Sequence, residues 1–155
     1  MPGDSTRPLR FFLAGIMQGS HLAATIHNQD YRGRLKQLLI EHFPGAEIYD
    51  PLADHSDSLS YDDQYGREVF LHHNRLCREV DVVVAFVPEA SMGTAIEMWE
   101  AHEHCKAVIS ISPMKHNWAV KFLSHALYAD VDELEDALVS GRLATRLREV
   151  LGSDQ

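Results

Sequence analysis

The stretch Val80-Asp81-Val82-Val83-Val84-Ala85-Phe86-Val87-Pro88-Glu89-Ala90-Ser91-Met92-Gly93-Thr94-Ala95-Ile96-Glu97 decides the fold of this chain. Val80 to Val87 is almost continuously apolar and β-branched, the pattern of a strand buried on both faces. The run breaks at Pro88, turns through Ser91 and Gly93, and enters an amphipathic helix predicted over Thr94 to Cys105. A strand whose carboxyl end turns through glycine into a helix is where open α/β sheets bind ligands. The helix N-terminus there presents unpaired N–H groups to an anion. One carboxylate, Glu97, stands a turn inside the helix. An anion site beside a lone acid points to chemistry on a phosphorylated small molecule.

Outward from this unit, strand and helix signals alternate. Arg10 to Ile16 predicts the first strand, and the helical spacing of Ile26, Tyr31, Leu35, Leu38, Leu39 and Phe43 predicts a helix over Thr25 to Phe43. Pro44-Gly45 ends that helix, and a second strand over Ala46 to Asp50 stops at Pro51. Ala53 to Asp63 is polar and aperiodic, read as a loop long enough to serve as a lid. Further helices are predicted over Gln64 to Glu79, Asn117 to Ala126 and Val131 to Leu151, with strands over Lys106 to Ser112 and Leu127 to Ala129. The prediction is a single-domain α/β fold, a doubly wound flavodoxin- or Rossmann-like sandwich. Its parallel five-stranded sheet is flanked by helices. The domain spans residues 10–151 behind a flexible N-terminus, 1–9.

Composition limits the function classes. The chain has 155 residues, 45% hydrophobic and 24% charged, which suits one soluble globular domain. Its formal net charge of −9 argues against a nucleic-acid polymer or an anionic membrane as partner. A nucleotide monomer remains compatible, since a helix N-terminus holds one phosphate without a basic patch. The two cysteines, Cys77 and Cys105, read as reduced buried thiols in helices. No run reaches the roughly 18 apolar residues of a membrane span, and the N-terminus lacks the apolar core of a signal peptide. A cytoplasmic protein is expected.

Ten histidines invite a metal reading. The densest groups, His72-His73 and His102-x-His104, place neighbours on different faces of a helix, so neither pair is a ready chelate. No metal and no cofactor are expected. Trp99 and Trp118 read as core or interface residues. Asp132, Glu133, Glu135 and Asp136 suit the first turns of a last helix.

In a doubly wound sheet the crevice lies beyond the carboxyl ends of the strands, where Gly15–Ser20, Asp50–Asp63, Pro88–Thr94 and Pro113–Asn117 converge. Glu97 has two readings there: a catalytic carboxylate, or the acid of a Thr94-x-x-Glu97 capping box reaching back to its own N-cap. Gly15 and Gly19 do not form the dinucleotide fingerprint and read equally as a plain turn.

Taken together, Phe12-Leu13-Ala14-Gly15, Tyr49-Asp50-Pro51, Asp81-Val82-Val83-Val84-Ala85 and Gly93-Thr94-x-x-Glu97 with Ala101 resemble the nucleoside 2-deoxyribosyltransferase family over roughly residues 10 to 130. The resemblance is closest to its nucleoside 5′-monophosphate N-glycosidase and CMP hydrolase branch. It implies a homodimeric enzyme in which Glu97 is the nucleophile and the substrate is a small-molecule nucleotide or nucleoside. It implies hydrolysis of a monophosphate, because Ser91 stands where the transferases carry an Asp, in a Ser-x-Gly arrangement similar to the phosphate-binding segment of the hydrolases. Ser124 matches a phosphate-binding Ser lent by the partner subunit. The family's catalytic Asp falls at His73, so the resemblance leaves the acid/base to His73 or to Asp62 or Asp63. Phe12 is expected against the base. Gly15, Met17, Gln18 and Gly19 are expected around the sugar, Ser91 and Gly93 at the phosphate, and Asp50 and Asn117 along the pocket. Base exchange by a transferase and a non-catalytic nucleotide-binding module are the alternatives.

Overall fold

A computed structural model describes residues 7–15 and 22–152, with side chains in the first helix described from Tyr31 onward. Five strands form one sheet: β1 (Arg10–Gly15), β2 (Glu47–Tyr49), β3 (Val82–Phe86), β4 (Ala107–Ile111) and β5 (Ala126–Tyr128). Their order is β2-β1-β3-β4-β5 and every pairing is parallel. The predicted α/β architecture is therefore the observed one. After β1 the chain moves to one side to make β2, and after β3 it moves to the other to make β4. The order reverses between β1 and β3, whose carboxyl ends meet where Gly15 lies opposite Phe86. That reversal opens the crevice.

Alternation along β1 sorts the core into two layers. Phe11 and Leu13 face α1 (Leu22–His42), α6 (Val131–Val139) and α7 (Arg142–Gly152), packing with Leu35, Leu39, Leu134 and Leu143. Phe12 and Ala14 face α3 (Asp63–Glu79), α4 (Met92–Glu103) and α5 (Trp118–Leu123), packing with Cys77, Met98, Ala101 and Val120. Strands covered on both sides need no polar face, which is why β3 reads as an unbroken apolar run. No helix among the described residues is long and apolar enough to cross a membrane.

Several predicted boundaries change for identifiable reasons. The terminal helix is two helices, α6 and α7, because Gly141 adopts φ +78°, a left-handed conformation that ends α6. The aperiodic segment after β2 is folded: α2 (Pro51–Asp54) opens on an Asp50 cap, and a 3-10 turn spans Ser58–Ser60. His55 Nδ1 lies 2.9 Å from the Tyr61 hydroxyl, tying the two ends of this segment together. Cys105 is not a buried helical thiol. It is exposed past the end of α4 with φ 59°, whereas Cys77 is fully buried; both are free. Trp99 and Trp118 are 52% and 77% exposed, which excludes them from the core. The domain is tied down before Arg10, since Arg7 makes paired bonds of 2.6 and 2.9 Å to Asp81, and the Arg10 N–H donates to the same carboxylate.

Candidate active site

Helix α4 begins at the carboxyl end of β3 and is capped by Ser91, whose Oγ accepts from the Thr94 N–H at 3.4 Å. The Thr94 and Ser91 hydroxyl oxygens lie 2.9 Å apart. The N-cap is thus Ser91, and the reading of Glu97 as the acid of a Thr94 box is overturned. Thr94 is already the third residue of the helix and is buried. Glu97 lies six residues past the cap, about 9 Å along the axis at the α-helical rise.

Among the described residues the Glu97 carboxyl makes no hydrogen bond. Burial pushes its pKa up to about 8, opposed by the charge of Arg32. By accessible surface Glu97 is half-buried, so its raised pKa comes from the crevice around it and not from an ion pair. A Cβ on Gly93 would meet nothing within 4 Å, so packing does not demand glycine there. Its absent side chain leaves the N-terminal turn open to a ligand.

Arg32 and Tyr31 approach from α1, and sequence reading missed both. The Arg32 guanidinium is 3% exposed; Nη1 donates to Asp50 Oδ1 at 3.0 Å and to the Leu13 carbonyl at 3.3 Å. Lys36 Nζ takes the other Asp50 oxygen at 2.9 Å, and the Leu52 N–H donates to Oδ1. Burial raises the Asp50 carboxyl, but the Lys36 bond and the two positive charges outweigh it and hold the pKa below the ordinary range. Asp50 is expected in the pocket from the sequence; it is instead buried behind it and fixes Arg32. Tyr31 stacks on Phe86 with ring centroids 3.8 Å apart. A Cβ on Gly15 would collide with the Tyr31 hydroxyl and come within 3.0 Å of Arg32 Nη2, so Gly15 is glycine to admit these two groups. The signals in the sequence were an Arg on the apolar stripe of α1 and a glycine closing β1.

His73 lies on the α3 side of the crevice. Its ring packs edge-on to Phe12 (6.0 Å) and Tyr49 (5.8 Å) and lies 5.2 Å from His55. Burial first, then the charges of His55 and His72, pull its pKa down to about 4, against a small opposing effect of Asp54. With that shift the His73 imidazole is neutral at pH 7. Its Nε2 is buried with no partner among the described residues. Phe12, expected against a base, is completely buried and stacked on Tyr49 at 5.5 Å; it supports the His73 ring and has no surface to offer a ligand.

Asp62 caps α3 by accepting from the Tyr65 N–H at 2.8 Å, and it is exposed, as is Asp63. Asn117 caps α5 through Oδ1. The Ser124 hydroxyl donates to the Val120 carbonyl at 2.5 Å, and its oxygen lies 2.6 Å from Ser110 Oγ. Met17, Gln18 and Gly19 lie outside the described residues. Among the described residues no group of three or more His, Cys, Asp or Glu is placed to hold a metal ion.

Solved structures share this fold. A 2-deoxyribosyltransferase from Bacillus psychrosaccharolyticus superposes with a TM-score of 0.61 at 17% identity, over 82% of this chain and 90% of that one. A CMP N-glycosidase from Clostridium botulinum gives 0.55 at 20% identity, over 84% and 98%. A conserved protein from Enterococcus faecalis gives 0.54 at 14% identity, over 92% and 98%. No protein-family model matches the sequence, and no curated protein does. The family that the sequence resembles is thus represented among the structural neighbours.

Proposed function

We propose that this chain is an N-glycosidase that hydrolyses a nucleoside 5′-monophosphate to free base and sugar 5-phosphate. One observation supports it above the others: Glu97 is a half-buried carboxyl with no hydrogen bond among the described residues, at the point where the strand order reverses, a turn and a half past an open helix N-terminus. A phosphate at that N-terminus would meet the first N–H groups of α4. With Thr94 donating to Ser91, the Ser91 proton is free for a phosphate oxygen. The anchored substrate presents C1′ to Glu97. An ionised Glu97 attacks C1′ as the C1′–N bond breaks, and its ester with the sugar is then hydrolysed by water. The base leaves as an anion that accepts a hydrogen bond from neutral His73 and takes its proton from solvent, and the water that hydrolyses the ester returns one proton as Glu97 is freed as a carboxylate.

Structural likeness to a deoxyribosyltransferase favours one second reading, base exchange through the same ester. Adding a free acceptor base and looking for a new nucleoside separates the two. The deciding experiment is base release from a panel of ribo- and deoxyribonucleoside 5′-monophosphates and their nucleosides. Free base from a monophosphate supports the hydrolase; none from any member, with or without acceptor base, removes both enzymatic readings. If Ser91 holds phosphate, Ser91→Ala raises KM for the monophosphate about tenfold, the size of one charge-assisted bond, and leaves KM for the nucleoside unchanged. Equal effects on both would remove the phosphate contact.

We also propose a homodimer formed through α3, α4 and α5, which expose Phe70, Leu71, Ile96, Trp99, Trp118 and Phe122 on one side of the sheet. For a partner's Ser124 to reach a phosphate, its hydroxyl must leave Ser110. A cytoplasmic setting is consistent with the two free cysteines. Sedimentation at the mass of a single chain would exclude the dimer.

A further inference from the structure

The polar segment between β2 and α3 is folded but thinly attached. Asp50 holds one end through Arg32, Lys36 and the Leu52 N–H, and Asp62 caps α3 at the other. Between them Ala53, Asp54, Ser56, Asp57, Leu59 and Ser60 are exposed, and none of residues 51–61 belongs to either layer of the core. A cluster of rings ties the segment down. His55 Nδ1 lies 2.9 Å from the Tyr61 hydroxyl, Tyr61 packs on Tyr65 of α3 at 4.4 Å, and the His55 ring meets the His73 ring at 5.2 Å. His73 is itself fixed on α3 against Phe12 and Tyr49.

Two imidazoles in contact resist being charged together. The groups acting on the His73 ring are His55 and His72, whose charges oppose a proton there, and the Asp54 carboxylate, which favours one. Phe12 is apolar, and burial raises the Tyr49 phenol and keeps it neutral. His73 Nε2 is buried with no partner among the described residues, so a proton placed on it meets neither acceptor nor water. We propose that the His55–His73 contact is an acid-released latch: charging the histidines drives residues 51–61 off α3 and opens the α3 side of the crevice. His73 is held by its helix and two rings, so the thin segment carrying His55 is the part that yields. In the closed form burial holds His73 near 4, and in water it returns toward 6.5. The open form therefore binds more protons between these values, and closure weakens as pH falls from 6.5 to 4. The latch shuts over the ring that meets the departing base near neutral pH, and this bearing on catalysis rests on the N-glycosidase reading above.

Amide hydrogen exchange of residues 51–61 at pH 7 and pH 5, corrected for the intrinsic rate, tests the latch without substrate or turnover. Opening is expected to rise about twentyfold at pH 5, the ratio set by a pKa of 6.5 open and about 4 closed, while the amides of β3 stay protected. His73→Phe keeps a ring in the same packing and removes the proton, so its two exchange rates should agree within about threefold. His55→Gln removes the other half of the contact and should leave the segment as open at pH 7 as the wild type is at pH 5. Equal protection of the wild-type segment at both pH values, an acid response that survives His73→Phe, or full protection of His55→Gln at pH 7 would each overturn the latch. Loss of protection in β3 together with the segment would mean general acid unfolding and would overturn it as well. Absence of base release from every nucleotide would remove the catalytic reading and leave the exchange results, and the latch, standing.

Discussion

Glu97→Gln is expected to lower base release by about three orders of magnitude or more, the cost of losing a nucleophile, and to raise Tm. An amide has nearly the shape of the acid but cannot form the sugar ester. The pH dependence follows from the same side chain. Burial holds Glu97 protonated up to about pH 8, against an ordinary 4.5. Only the ionised form attacks, so kcat/KM of the wild type should climb about tenfold per pH unit below pH 8 and level off above it. A flat profile between pH 6 and 8 would sink the assignment. His73, titrating near 4, adds no step in that window.

The stability of Glu97→Gln follows by linkage. Between pH 4.5 and about 8 the unfolded chain carries Glu97 ionised while the native protein holds it protonated. The native state therefore binds more protons, and its stability falls as pH rises through this interval. Gln has no such dependence. The Tm advantage of the variant should be small at pH 5 and largest near pH 8, measured by calorimetry at both values. A variant less stable than the wild type at pH 8 would mean that the carboxylate has a structural partner after all.

Asp50→Ala carries the second large effect, on stability. Asp50 is 7% exposed and compensates Arg32, which is 3% exposed. Removing one partner of a buried pair leaves the other charge uncompensated and costs about 3–5 kcal/mol. For a chain of this length that lowers Tm by roughly 10 °C. Asp50→Asn retains an acceptor for the Leu52 N–H and separates the loss of the cap, about 1 kcal/mol, from the loss of charge. Because the Asp50 pKa is lowered in the folded state, its contribution is complete above the ordinary value of 3.8 and disappears as pH falls through the folded one. The gap between wild type and Asp50→Ala should therefore narrow below pH 4. A gap of under 1 kcal/mol at pH 7 would show that Lys36 and solvent suffice to hold Arg32.

Local signals carried the architecture because they are local in origin. Apolar strands such as Val82–Phe86 cannot be solvated on either face, and turn residues such as Pro44-Gly45 and Pro51 act on the backbone where they stand. The errors share a different cause. Gly141 was readable as a break, yet the helical spacing on both sides of it masked the break in the sequence. Thr94-x-x-Glu97 fits a capping box in one dimension, but the cap depends on where the strand releases the chain, and that point is Ser91. Phe12 looks like a ligand platform until the α3 side of the sheet closes over it.

Neighbouring residues alone carry the α/β class, the alternation of elements and the presence of Glu97 in the first turns of the helix after β3. Periodicity, turn chemistry and chain order are all written in neighbouring residues. Only the tertiary structure decided which groups face Glu97 and in what charge state. Tyr31 and Arg32 come from α1, with Arg32 held by Asp50 at the end of β2, and they reach the crevice because the strand order reverses between β1 and β3. The protonation of Glu97 and the neutrality of His73 follow from the burial that this convergence creates, and desolvation is a property of the assembled site that no local pattern encodes.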